Sequence, residues 1–202
     1  IERGRALDLS PVLHQRIGEG FHVPAGVPHR PGTALTLEIQ QPSDVYTLLE
    51  NRWGDRPLTK QEMHPGFARL GDALRLIDFE AATDPQLLDR HRLVPEPVIE
   101  TRTRGGEEAW IFPSRLRRFS GKRVVVRTRF ESREAQAYVL LVWQGRGRVL
   151  GRRLQPGVEA LVTAEAARRP HLFEADGGPL ELFKLFPPPP LPASQIGQTS
   201  GG

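Results

Sequence analysis

Between residues 98 and 186 the chain repeats one pattern: short apolar or alternating runs, separated by turns containing Gly, Pro or Ser. "EAWIFPS", "RVVVRTRF", "AYVLLVWQGRGRV", "EALVTA" and "LELFKLF" follow one another in this way. Alternation places successive side chains on opposite faces of a strand, so each run offers one apolar face to a core. Several such strands at this spacing predict a β-sandwich or β-barrel.

The first half is more mixed. Residues 6 to 50 read as short strands and turns, punctuated by Gly18, Gly20, Gly26 and Gly32. "ALTLEIQ" (34 to 40) alternates, with Leu35, Leu37 and Ile39 on one face and Thr36, Glu38 and Gln40 on the other. "NRWGDRPLTKQEMHPG" (51 to 66) reads as a polar loop. The period then changes, because Phe67, Leu70, Leu74 and Ile77 make one helical stripe from about 66 to 80. Thr83 or Asp84 can cap a second short helix with Pro85 in its first turn. "LVPEPVIE" (93 to 100) starts an extended stretch, and "FPPPPLPASQIGQTSGG" at the end has the composition of a flexible tail.

Composition narrows the function classes. The 202 residues are 38% hydrophobic and 26% charged, as in a globular protein. No apolar run approaches the length of a membrane span, and no charged-then-apolar leader follows the initial Ile, so a processed or truncated start and a cytoplasmic location are expected. Without cysteine there can be no disulfide and no thiolate chemistry, so any metal site must use His, Glu, Asp or Gln. Of 28 basic residues only Lys60, Lys122 and Lys184 are lysines. The arginines gather at 115, 117 and 118, at 123, 127 and 129, and at 146, 148, 152 and 153. With Glu131, Glu134 and Glu159 nearby and no aromatic residues interleaved for stacking, they read as a solvated strand face, and a nucleic-acid partner is not expected.

His29 carries the sharpest motif. Gly18, five residues, Pro24, one, Gly26, two, His29 is similar to the second conserved motif of cupins, G-x5-P-x-G-x2-H-x3-N, with Thr33 in place of the final Asn. "VPAGVPHRPG" followed by "LEIQQPSD" resembles the class I mannose-6-phosphate isomerases. "HPGFARLGDALRLIDF" (64 to 79) resembles a helix entry of a bacterial branch of that family, and "RRPHLFEADGGPLELFKLF" resembles second-cupin terminal strands. The resemblance implies a mainly β fold: a pair of cupins (double-stranded β-helix, or jelly-roll, barrels) joined by a short helical segment. Residues 1–60 would be the C-terminal part of a first cupin, 61–92 a helical linker, 93–187 a second cupin-like barrel and 188–202 the tail.

It also implies chemistry. Family members interconvert mannose 6-phosphate and fructose 6-phosphate, moving a proton between C1 and C2 through an enediol-like intermediate. They hold one divalent metal, usually zinc, in the first barrel. His29 matches a metal ligand of that barrel. Glu38 and Arg52 are candidates for catalysis, and Gln40 and Asp44 for substrate binding. Counted from Ser43-Asp44, the family's arginine slot falls on Leu48, with Arg52 four residues later. No His-x-His followed by Glu precedes residue 18, so the other ligands are expected on a partner segment that supplies the missing first-cupin strands. The alternative is a sugar-binding or regulatory cupin that has lost the isomerase machinery. The second barrel reads as structural, with His171 not a ligand, His64 at a loop-to-helix turn, His91 on the surface and "QGRGRVLG" a hairpin turn.

Overall fold

The structure is a computed structural model that describes residues 12–41, 46–113, 116 and 118–188. Asp44, Arg115, Arg117, residues 1–11 and the tail from residue 189 lie outside the described residues. The chain divides into two units, 1–92 and 93–202.

Strands in the first unit are two residues long: β1 (Gly20–Phe21), β2 (Arg52–Trp53) and β3 (Arg56–Pro57). Four short helices follow: α1 (Lys60–Met63), α2 (Leu70–Leu74), α3 (Phe79–Thr83) and α4 (Leu87–His91). The alternating segment 34–40 forms no strand among the described residues. Its pattern supplies a face, but a strand also needs a neighbour for its backbone groups, and no described segment pairs with it. The 51–66 stretch is more ordered than a polar loop. β2 and β3 pair as a hairpin, and Thr59 and Glu62 form a capping box at the start of α1. The backbone N–H of Thr59, with Arg56 beside it, holds the Glu62 carboxyl down to about 2.

The helical stripe of 66–80 is broken in two. Asp78 donates its N–H to the Gly26 carbonyl at 3.0 Å instead of continuing the helix, and its side chain caps Ala81 at 2.9 Å. The reason lies in the Pro24–Val27 turn, where Gly26 sits at φ 84°. A Cβ there would lie 2.9 Å from the Leu76 carbonyl oxygen, so only glycine lets the turn and the α2–α3 connection approach.

β4 (Arg92–Leu93) spans the boundary, and the second unit continues with β5 (Glu96–Pro97), a 3-10 turn at Ile99–Thr101 and β6 (Gly106–Phe112). Eight further strands follow: β7 (Ser120–Val126), β8 (Arg129–Ser132), β9 (Tyr138–Gln144), β10 (Gly147–Val149), β11 (Arg152–Leu154), β12 (Glu159–Val162), β13 (His171–Ala175) and β14 (Leu180–Phe186). A helix, α5 (Ala164–Arg168), joins β12 to β13. One sheet has the order β12-β9-β14-β7-β6-β5 and the other β11-β10-β13-β8. Counted from β7, these orders are sixth-third-eighth-first and fifth-fourth-seventh-second. Every connection but the β10–β11 hairpin therefore crosses from one sheet to the other. That is the double-sheet jelly roll of cupins, and the fold is mainly β and cupin-type on this topology alone.

Inward-facing alternate positions fill the space between the sheets. Val124, Phe130, Leu140, Val142, Phe173 and Leu182 are all buried there, each contributing roughly 1.5–3 kcal/mol of burial. Toward one end of the barrel the same inward parity turns polar.

Candidate functional site

β14 sends Leu180, Leu182, Lys184 and Phe186 inward, and β7 sends Lys122, Val124 and Val126. In the antiparallel register Lys184 stands directly opposite Lys122. Two like charges in that relation repel and destabilise the pair unless anions lie between them. Two carboxylates do. Glu108 of β6 accepts from Lys122 at 3.1 Å through Oε1 and from Lys184 at 2.9 Å through Oε2. Glu134, in the β8–β9 connection, accepts from Lys184 at 2.7 Å and from Lys122 at 3.0 and 3.1 Å. Ser132 Oγ takes the third bond from Lys184 at 2.6 Å, and the Trp110 ring lies 4.7 Å below the Lys122 ammonium.

The cluster is charge-balanced, two ammonium groups against two carboxylates, and closed. Lys184 is 0% exposed. Glu134 is delivered by a loop tied to α5: its N–H donates to the Ala167 carbonyl at 2.8 Å, and Arg133 Nε donates to the Arg168 carbonyl at 3.0 Å. Burial works to raise the Glu108 carboxyl, but Lys184 and Lys122 outweigh it and hold the group below the ordinary glutamate value.

Tyr138 and His171 extend this polar end. His171 Nδ1 lies 2.9 Å from the Arg169 carbonyl, which can only accept, so Nδ1 carries the proton. Nε2 is then the acceptor for the Tyr138 hydroxyl at 2.9 Å. Burial, reinforced by the charge of Glu134, pushes the Tyr138 phenol well above its usual value and keeps it a neutral donor.

This set does not fit a divalent cation. Two ammonium groups stand at the centre and repel it, the carboxylate oxygens are engaged by lysine protons, and the accepting nitrogen of His171 faces Tyr138. Neither does it offer a lysine nucleophile, because each ammonium has three acceptor contacts. What the arrangement does is join β6, β7, β14 and the β8–β9 connection across the barrel interior.

The residues expected from the motif lie in the first unit. The turn at Pro24–Val27 forms, and His29 follows it with an exposed ring whose Nδ1 lies 3.1 Å from the Val27 carbonyl. Glu38 and Gln40 are exposed, and Arg52, also exposed, donates to the Asp55 carbonyl within its hairpin. No three His, Asp or Glu side chains converge into a metal-binding set among the described residues. His64 marks the end of α1 and is buried, its Nδ1 3.1 Å from the Phe67 carbonyl. His91 is half-buried rather than on the surface, its ring 5.6 Å from that of His22.

The barrel cluster was legible in one respect that composition obscured. In a chain rich in arginine and poor in lysine, two of three lysines sit at inward parity in apolar strands, "SGKRVVV" and "LELFKLF". A compact ammonium can serve as a three-bond hub where a guanidinium fork cannot.

No family model matches the chain, and no curated protein matches it. Solved structures similar to it include the Cupin_2 domain of an XRE family transcriptional regulator from Enterobacter cloacae, at 19% identity over 43% of this chain and 100% of that one, TM-score 0.36. Ectoine synthase from P. lautus is similar at 15% identity over 50% of this chain and 75% of that one, TM-score 0.36. A cupin 2 conserved barrel domain protein from Rhodopseudomonas palustris is similar at 15% identity over 50% and 74%, TM-score 0.37. The second unit is a cupin-type jelly roll, as its strand order shows.

Proposed function

We propose that the chain is a non-catalytic cupin-type module, of the sugar-binding or regulatory kind, in which the barrel serves as scaffold. One observation carries this reading: the polar end of the barrel interior is occupied by a balanced, hydrogen-bonded Lys–Glu cluster with Lys184 wholly buried. A barrel used for chemistry keeps open donor groups there; this one has joined them to each other.

The metal-dependent isomerase reading rests on the sequence motif of residues 18–40. It needs His29 to be completed by ligands from outside the described residues, with zinc as the metal and a hexose phosphate as substrate. One experiment separates the two. The chain, supplied with excess zinc, is assayed for interconversion of mannose 6-phosphate and fructose 6-phosphate, and its melting temperature is followed across a panel of sugars and sugar phosphates. The module reading expects no turnover and a melting shift with at least one member of the panel. Turnover that is lost in His29→Ala contradicts it, and a panel with no shift removes the sugar-binding form.

A further inference from the structure

The β10–β11 hairpin carries charge that the barrel does not balance. No acidic residue lies between Glu134 and Glu159, and Arg146, Arg148, Arg152 and Arg153 fall in that stretch. On strand β8 and the turn before it the arginines are matched, Arg127 with Glu107 at 2.6 Å and Arg129 with Glu174 at 3.0 Å, while Arg133 and Arg168 are held by backbone carbonyls. The four hairpin arginines have no ion pair among the described residues. Arg148 stands directly opposite Arg153, and its neighbour on the other side, Glu174, is already held by Arg129. A like-charge pair in direct cross-strand opposition costs stability until an anion joins it.

The same hairpin forms an open edge. β11 ends the four-stranded sheet and β12 ends the six-stranded one, so among the described residues each has one side with no strand neighbour. A cavity of about 480 Å³ is lined by residues from both edges, among them Val149, Leu154, Val158, Val162 and the exposed Arg152. All three residues of β11 touch the cavity, but their side chains alternate: Arg152 and Leu154 take the parity of Val149 and Gly147, and Arg153 takes that of the exposed Arg148.

We infer that the free edge of β11 accepts an extended segment of a partner protein in which acidic and apolar side chains alternate. The segment's backbone continues the four-stranded sheet, supplying the hydrogen bonds the edge lacks. Its side chains beside Arg152 and Leu154 fall over the apolar cavity. Its side chain beside Arg153 emerges on the outer face, where a carboxylate meets the Arg148–Arg153 pair. Period-2 alternation of charge and apolarity in the partner is thus dictated by the period of β11 itself. A protein segment is favoured over a nucleic acid because Arg129, Glu131, Arg148, Arg153, Leu172 and Glu174 on this face include no aromatic platform for a base.

The test uses the full chain and a fluorescein-labelled peptide, Ser-Val-Glu-Val-Glu-Val-Ser, with a peptide of identical composition whose valines and glutamates are grouped in blocks. The alternating peptide is expected to bind about tenfold more tightly than the blocked one, a difference of about 1.4 kcal/mol. R148E/R153E, two exposed substitutions, should remove that preference, and amide exchange at 152–154 should slow on binding. Absence of binding, equal binding of the blocked peptide, unchanged exchange at 152–154, or tighter binding of a short oligothymidylate would each overturn the inference. None of these outcomes depends on whether hexose phosphates are turned over.

Discussion

Lys184 shows how a single residue type sets the character of this barrel. Its ammonium donates to Glu108, Glu134 and Ser132, so the hub depends on three protons spreading from one small centre. Lys184→Arg keeps the charge but replaces that centre with a planar fork too large for the space. The variant is expected to lose about 2–4 kcal/mol in chemical denaturation, whereas Lys60→Arg at the exposed first position of α1 should change stability by less than about 0.5 kcal/mol. Tyr138→Phe removes the donor to His171 Nε2 and should cost about 1–3 kcal/mol, read as a lowered denaturation midpoint with unchanged slope. The parity of Lys122 and Lys184 in their strands was visible in the sequence. Their partners were not, because Glu108 and Glu134 reach the site from another strand and from a loop, and only the tertiary register brings the four together.

At the scale of elements, the β10–β11 hairpin stores strain that can be released. Its two-residue turn places Leu150 at φ 48° and Gly151 at φ 75°, the pattern of a type I′ turn, which favours Asn-Gly. Leucine pays roughly 1–2 kcal/mol for the left-handed region. Leu150→Asn, at an exposed position, should therefore stabilise the barrel by about 1 kcal/mol, measured as a raised melting temperature. A neutral or destabilising result would show that Leu150 is held by packing. Gly26→Ala tests the turn before His29: with φ 84° and a carbonyl 2.9 Å from the added Cβ, it should destabilise the first unit by at least about 1 kcal/mol. The strands of the barrel were readable because each carried its own period and its own turn residues. Segment 34–40 shows the limit of that reading, since its alternation is present but its pairing partner is not among the described residues.

For the molecule as a whole, the charge cluster predicts a stability plateau bounded on both sides. Glu108 is held below its ordinary value of 4.5, so its contribution is complete above that pH and is lost as pH falls through the lower folded-state value. Tyr138 is raised above 10.0, so its contribution is complete below that pH and declines as pH rises beyond it. Unfolding followed by fluorescence of Trp110 and Trp143 should show both shoulders, and Glu108→Gln should weaken the acid one. No helix among the described residues is long and apolar enough to cross a membrane. The topology places eight strands in the order of a jelly roll, and the interior where such a fold could hold a ligand is instead occupied by its own charges. The most direct test is a double-mutant cycle on Lys184 and Glu108, comparing Lys184→Met, Glu108→Leu and the pair in guanidinium unfolding of the barrel. A scaffold cluster predicts that each single substitution costs about 3–5 kcal/mol and that the pair costs much less than their sum. Single substitutions that raise stability, as when strained catalytic groups are removed, would contradict it.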